Sequence, residues 1–152
     1  MAARYMILRS AGLKFVVIEG TTNYDELERL FLTYLRDPDF RPDLRVLADL
    51  RGLTDVVAGL WEIRKLKALY EYTYHEAVGA VDVVIVTGKG PAHRAARAFQ
   101  WAMRDRRPLV IQVTDSMAKA QEMLGLSAAD MRLLEPPRPG AGGAGVIAFR
   151  RP

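Results

Sequence analysis

The chain predicts an α/β fold: a mostly parallel five-stranded sheet that opens with an antiparallel hairpin and is flanked by four to five helices. Three observations carry that prediction. Apolar runs and helix-spaced stretches follow one another in the order β-β-α-β-α-β-α-β-α, and strands joined through helices lie parallel. The first two runs are separated only by Ser10-Ala11-Gly12, short enough for a hairpin. The central run, Arg45-Val46-Leu47-Ala48-Asp49-Leu50, passes straight into Arg51-Gly52-Leu53-Thr54-Asp55, a buried strand ending in turn residues.

Taken in order, residues 5–9 and 13–19 form the opening strands, the second containing Phe15-Val16-Val17-Ile18, whose β-branched side chains suit a pleated surface. Asn23 caps the first helix, Asp25 and Glu26 sit at its positive end, and Leu27, Leu30, Phe31, Tyr34 and Leu35 mark its buried face. Asp37-Pro38-Asp39-Phe40-Arg41-Pro42 ends it, because proline lacks the next backbone donor. Residues 46–50 are the third strand. A turn at 52–55 leads to a helix over about 58–75 with Leu60, Ile63, Leu66, Leu69, Tyr70 and Tyr74 inward. Residues 82–87 form the clearest strand, followed by Gly88-Lys89-Gly90-Pro91. The next helix buries Ala92, Ala95, Ala96, Phe99, Ala102 and Met103, small enough to lie close to the sheet.

Residues 109–113 form the fifth strand. A helix capped by Asp115 or Ser116 carries Ala120, Met123 and Leu124 and stops at Gly125. Ser127, three before Asp130, opens a last short helix to about Leu134. Residues 1–134 therefore read as one domain, and 135–152 as a Pro/Gly-rich flexible tail. Val146-Ile147-Ala148-Phe149 is either loose or an addition to a sheet edge.

The 152 residues suffice for a core without disulfides or metal, and half of them are hydrophobic. The absence of cysteine removes thiol nucleophiles and Cys-based zinc sites and fits a reducing compartment. No long apolar stretch opens the chain, so a cytoplasmic protein without signal peptide or membrane span is expected. The net charge of +4 is polarised: residues 1–85 carry −2 and residues 86–152 carry +6. That asymmetry suits either a solvated basic face or an acidic partner.

The segment Leu47-Ala48-Asp49-Leu50-Arg51-Gly52-Leu53-Thr54, the Asp37-Pro38-Asp39-Phe40 turn, the terminal Met123-Leu124 and the element order resemble the SpoIIAA-like (STAS-like) family, the fold of the bacterial anti-sigma factor antagonists. The resemblance spans about residues 5–126. It implies an often dimeric module that works by binding a protein or a small ligand, and part of that superfamily is likened to lipid-binding SEC14-type domains. The antagonists switch through a phosphorylatable serine preceded by aspartate at the start of the second helix. The matching positions here are Val57 and Ala58, neither of which accepts phosphate, so the resemblance stops short of the switch.

Candidate site residues lie on the loops at the carboxyl ends of the strands, the usual binding edge of such sheets. Thr54 and Asp55 either cap the second helix or hold an anion with its amides. Gly88, Lys89 and Gly90, followed by His93, offer close backbone approach and a positive charge, but without phosphate-loop or dinucleotide spacing. His93, Arg97, Gln100 and Arg104 share one helix stripe near Arg94, Arg106 and Arg107, suited to an acidic surface or simply to water. His75 beside Glu76 is the one pair suggesting proton chemistry, with no nucleophile motif near it. Trp61 and Trp101 read as core or interface residues.

The function expected is a regulatory or interaction module, a homodimer by resemblance, that binds a regulatory protein without a serine switch and needs no cofactor, metal or catalysis. The alternative is a carrier or sensor of a lipid-like or anionic small molecule at the carboxyl edge, with Thr54, Lys89 and His93 at its mouth. An enzyme using His75 or His93 as general base ranks third, and a nucleic-acid binder using the 93–107 stripe ranks last.

Overall fold

The computed structural model describes residues 2–57, 59–135 and 146–149. β1 (Ala2–Leu8) and β2 (Leu13–Asn23) form the antiparallel hairpin, with Ala2 opposite Glu19 and Leu8 opposite Leu13. β3 (Arg45–Asp49), β5 (Val81–Val86) and β6 (Leu109–Thr114) continue the sheet in parallel with β2, and β7 (Val146–Phe149) pairs in parallel with β1. The order across the sheet is β6-β5-β3-β2-β1-β7. The five strands expected are therefore present, and Val146–Phe149 takes the sheet-edge alternative. The intervening 136–143 linker lies outside the described residues.

A further strand, β4 (Leu53–Val57), corrects the turn and helix start expected at residues 52–58. β2 is eleven residues long and outlasts β3, whose pairing ends with Val17 opposite Asp49. Its free distal end, Gly20–Asn23, takes up the chain again from Gly20 opposite Leu53 to Asn23 opposite Val57. Thr21, Thr22, Val56 and Val57 are β-branched and suit that extended ladder. The turn itself is shorter than expected, closed by the Leu53 N–H donating to the Leu50 carbonyl at 3.1 Å. At this junction the Gly52 carbonyl accepts from the Gly20 N–H at 2.9 Å, and a Cβ at Gly52 would lie 2.8 Å from Glu19 Cγ.

Five helices cover the two faces. α1 (Tyr24–Leu35), α2 (Leu60–Tyr74) and α3 (Pro91–Met103) lie on one face, packing on Val16, Ile18, Val46, Val83 and Ile85. α4 (Met117–Leu124) and α5 (Ala128–Leu134) close the other over Phe15, Val17, Leu47, Val84 and Val86. Asn23 caps α1 as expected, its Oδ1 accepting from the Glu26 N–H at 3.1 Å while the Glu26 carboxylate accepts from the Asn23 N–H at 3.2 Å. Leu60, expected inward, is instead outside, and the apolar side chains of Met123 and of Trp61 and Trp101, read as core or interface residues, are exposed as well. Leu60 is 84% exposed because α2 starts with it, beyond the sheet; Met123 faces water on α4; and Trp61 and Trp101 are 62% and 67% exposed. No helix among the described residues is long and apolar enough to cross a membrane.

Candidate functional site

The three helices on the first face do not close completely over the sheet. Small side chains at Ala92, Ala95 and Ala96 of α3 leave a cavity of about 120 Å³ between α1, α2, α3 and the strands β2, β3 and β4. Its walls are almost wholly apolar, built from Val16, Ile18, Leu30, Val46, Leu66 and Phe99 among others. It opens beside Asn23 and Val57, both exposed, at the carboxyl ends of β2 and β4. The one carboxylate among its described lining residues is Glu62, and the Gly59 N–H donates to it at 2.8 Å. The backbone amides of Glu62 and Gly59 hold that carboxyl below its ordinary range.

At the inner end of this cavity the lining includes Lys14, a lysine only 1% exposed. Its place follows from strand geometry. Leu13, Phe15 and Val17 point into the layer under α4 and α5, so Lys14, Val16 and Ile18 point into the layer under α1–α3. There Nζ sits 3.4 Å from the centre of the Tyr34 ring, 5.4 Å from that of Tyr74, and 5.6 and 5.8 Å from those of Phe31 and Phe40. It donates a hydrogen bond to the Tyr74 hydroxyl at 2.8 Å. No carboxylate among the described residues pairs with it. Burial without a counter-ion pushes the Lys14 amine well below its ordinary pKa.

The surrounding tyrosines are perturbed in the matching sense. Burial raises the Tyr34, Tyr70 and Tyr74 phenols, so all three are held as neutral hydroxyls. Tyr34 Oη is buried with no hydrogen-bond partner among the described residues. An unpaired buried hydroxyl costs stability, on the order of 1–3 kcal/mol. Lys14 and Tyr34, whose hydroxyl is unpaired among the described residues, thus line one apolar cavity, and the Tyr74 hydroxyl bonded to Nζ is buried beside them. This group can act as nucleophile or base toward an uncharged molecule entering from the mouth.

The residues singled out from sequence lie elsewhere. Thr54 and Asp55 are exposed on β4 and do not cap α2; Gly59 occupies the cap position, and the Asp55 carboxylate accepts from the neighbouring Val56 N–H at 2.8 Å. Gly88, Lys89 and Gly90 form the β5–α3 loop, where Gly90 has φ of +113°, a conformation open to glycine. Lys89 is exposed, and His93 is tied by its Nδ1 to the buried Thr87 hydroxyl at 2.9 Å. None of these six residues lines the cavity, although it opens at the carboxyl edge where they were sought.

The basic stripe is likewise divided. Gln100 Nε2 donates to the Ile111 carbonyl at 2.8 Å and ties α3 to β6, while Arg97 donates to Gln100 Oε1 at 2.8 Å. Arg94 is exposed, and the Arg104 guanidinium lies over the Trp101 ring at 4.3 Å while it pairs with Asp105. His75 and Glu76 are both well exposed, with 3.7 Å between Nε2 and Oε1. Among the described residues no cluster of three or more His, Asp or Glu has the geometry of a metal site.

The Asp-Leu-Arg-Gly segment serves the turn between β3 and β4. Arg51 Nε and Nη2 donate to the two Asp49 carboxylate oxygens at 2.9 and 2.8 Å, and this pairing raises the guanidinium pKa. It borders a wider, more polar cleft on the opposite face, about 610 Å³, which is lined by the ion pairs Asp49–Arg51 and Arg4–Glu19 and by Glu135. Compared with known proteins, the chain matches no family model, no curated protein and no solved structure.

Proposed function

We propose that the protein is a ligand-binding module, a sensor or carrier, that holds a small apolar molecule between α1, α2, α3 and the sheet. The observation that supports this reading is the open apolar cavity itself, maintained in the middle of an otherwise closely packed layer. Its volume of about 120 Å³ is comparable to apolar cavities of about 150 Å³ that take up benzene. The occupant is thus of one-ring or short-branched-chain size, and a long acyl chain does not fit. Toluene titrated into the protein tests this. Saturable shifts in the NMR signals of Ala92, Ala95 and Leu66 are expected, and they disappear in Ala95→Phe, which fills the space. Shifts scattered over the surface, or undiminished in Ala95→Phe, would refute the reading.

A second reading, an interaction module of the STAS-like kind, draws support from Val57, Leu60 and Trp61. These are 61%, 84% and 62% exposed in near succession at the rim of the same cavity. They occupy the region where the antagonists carry their switch, so a partner resting there would sense whether the cavity is filled. Native mass spectrometry of the wild type and Trp61→Ser tests self-association at this rim. A dimer lost in the variant supports the reading, and a monomer in both removes the homodimer from it.

A further inference from the structure

We propose that Lys14 captures its ligand covalently, as a Schiff base with a small aldehyde or ketone admitted to the cavity between α1, α2 and α3. The inference deepens the ligand-binding reading and rests on it, naming the functional group the occupant carries.

Four features of the site lead to this chemistry. A lysine lines an apolar cavity that a molecule of one-ring size can occupy. No carboxylate among the described residues accompanies it, so the site is built for an uncharged amine and not for an ion pair. A hydrogen bond to the Tyr74 hydroxyl at 2.8 Å holds Nζ in place and puts a proton donor beside it. The Tyr34 hydroxyl, on the ring beneath Nζ, is buried without a partner and would gain one from a carbonyl oxygen. Burial also lowers the amine's pKa and so favours its neutral form.

The reaction balances without any further reagent. The Nζ lone pair adds to the carbonyl carbon, and the carbonyl oxygen, hydrogen-bonded by Tyr34, takes up the proton released from nitrogen to give a carbinolamine. The Tyr74 hydroxyl then donates its proton to the departing hydroxyl, which leaves as water while the C–N bond becomes double. The phenolate recovers a proton from the iminium nitrogen, leaving a neutral imine. One amine and one carbonyl give one imine and one water, with no change in oxidation state. Release is the reverse, by water, so the site suits a reversible carrier or sensor.

The sequence contains five lysines, and the other four, Lys65, Lys67, Lys89 and Lys119, are exposed or half-buried. The test therefore needs no variant. The full chain is incubated with substoichiometric benzaldehyde at neutral pH, sodium cyanoborohydride supplies hydride to reduce the imine to a secondary amine, and the product is mapped by peptide mass spectrometry. One benzyl group on Lys14 is expected. Labelling spread over the surface lysines, or none, overturns the proposal.

Toluene binding, followed in parallel, separates the two readings. Toluene in the cavity without trapping at Lys14 overturns the Schiff base and leaves the pocket standing. Neither toluene binding nor trapping overturns both. Trapping at Lys14 without measurable toluene affinity upholds the covalent site and refutes purely non-covalent retention. Tyr74→Phe is expected to bind toluene as before but to trap benzaldehyde at least about tenfold more slowly. Trapping by this variant at the wild-type rate would remove Tyr74 from the reaction.

Discussion

Replacing Lys14 by methionine gives a stability change whose sign depends on pH. Methionine keeps most of the length and volume of the side chain but carries no titratable group. In the wild type the unfolded lysine titrates near its ordinary 10.5, whereas the folded amine titrates well below it. Between those two values the unfolded chain binds the extra proton, so wild-type stability falls as pH falls. The loss is about 1.4 kcal/mol for each pH unit within that window. Methionine is free of this loss but leaves the Tyr74 hydroxyl without the partner now 2.8 Å away, at a cost of about 1–3 kcal/mol. Near pH 10.5 only the second effect operates, and the variant is the less stable protein. As pH falls further into that window the lysine penalty grows until it cancels the lost hydrogen bond. Below that the variant becomes the more stable, until the folded amine itself takes up a proton. Urea denaturation of both proteins at half-unit steps from about pH 10 to about pH 7, with midpoints converted through the common m-value, measures the crossing. Parallel profiles, with a constant difference between the two proteins, would show that Lys14 is charged in the fold and would refute the reasoning.

Three other outcomes are expected. The Tyr34, Tyr70 and Tyr74 phenols are raised by burial, so the stability they contribute is intact below about pH 10 and declines above it as the unfolded phenols ionise. Tyrosinate absorbance should show these three titrating only with unfolding. Asn23→Ala removes the α1 cap and should lower stability by about 1 kcal/mol in urea melts. Gly52→Ala drives a Cβ to within 2.8 Å of Glu19 Cγ and should cost about 1–2 kcal/mol, and the loss should largely vanish in a Glu19→Ala background, a non-additivity that a double-mutant cycle reads directly.

The frame of the fold was legible because its strongest signals are local. An uninterrupted Val83-Val84-Ile85-Val86 run has to be a strand covered on both faces, and four of the five lysines stand where their charge meets water. Ala92, Ala95, Ala96 and Ala102 of α3 lie at helical spacing and are buried or half-buried as read. Where the reading failed, the deciding contact was distant in sequence. Leu53–Val57 is a strand because β2 overruns β3 by several residues and offers it an edge, and nothing in those five residues states how long β2 is. Leu60 and Trp61 fit the apolar spacing of α2, but they belong to its first turn, which projects past the sheet, and periodicity carries no information about where the sheet stops.

The site was hidden for a different reason. Glycine-rich loops and charged helix faces draw attention to residues that meet solvent, and those residues here cap, bridge or hydrate. The residue that stands out in the structure sat in plain view inside Leu13-Lys14-Phe15-Val16-Val17-Ile18. That run does not alternate, and a strand without alternation has no polar face to which a lysine can turn. Six consecutive positions, 13–18, are all buried, and the lysine is among them. A fully buried cation without a partner is too costly to keep, so such a position demands a counter-ion, a lost proton or a reaction. The aromatic residues that surround Nζ come from α1, α2 and the loop after α1, and these supply no carboxylate at the amine. That excludes the first answer, and burial against the cavity favours the neutral amine, the state in which a lysine is able to react.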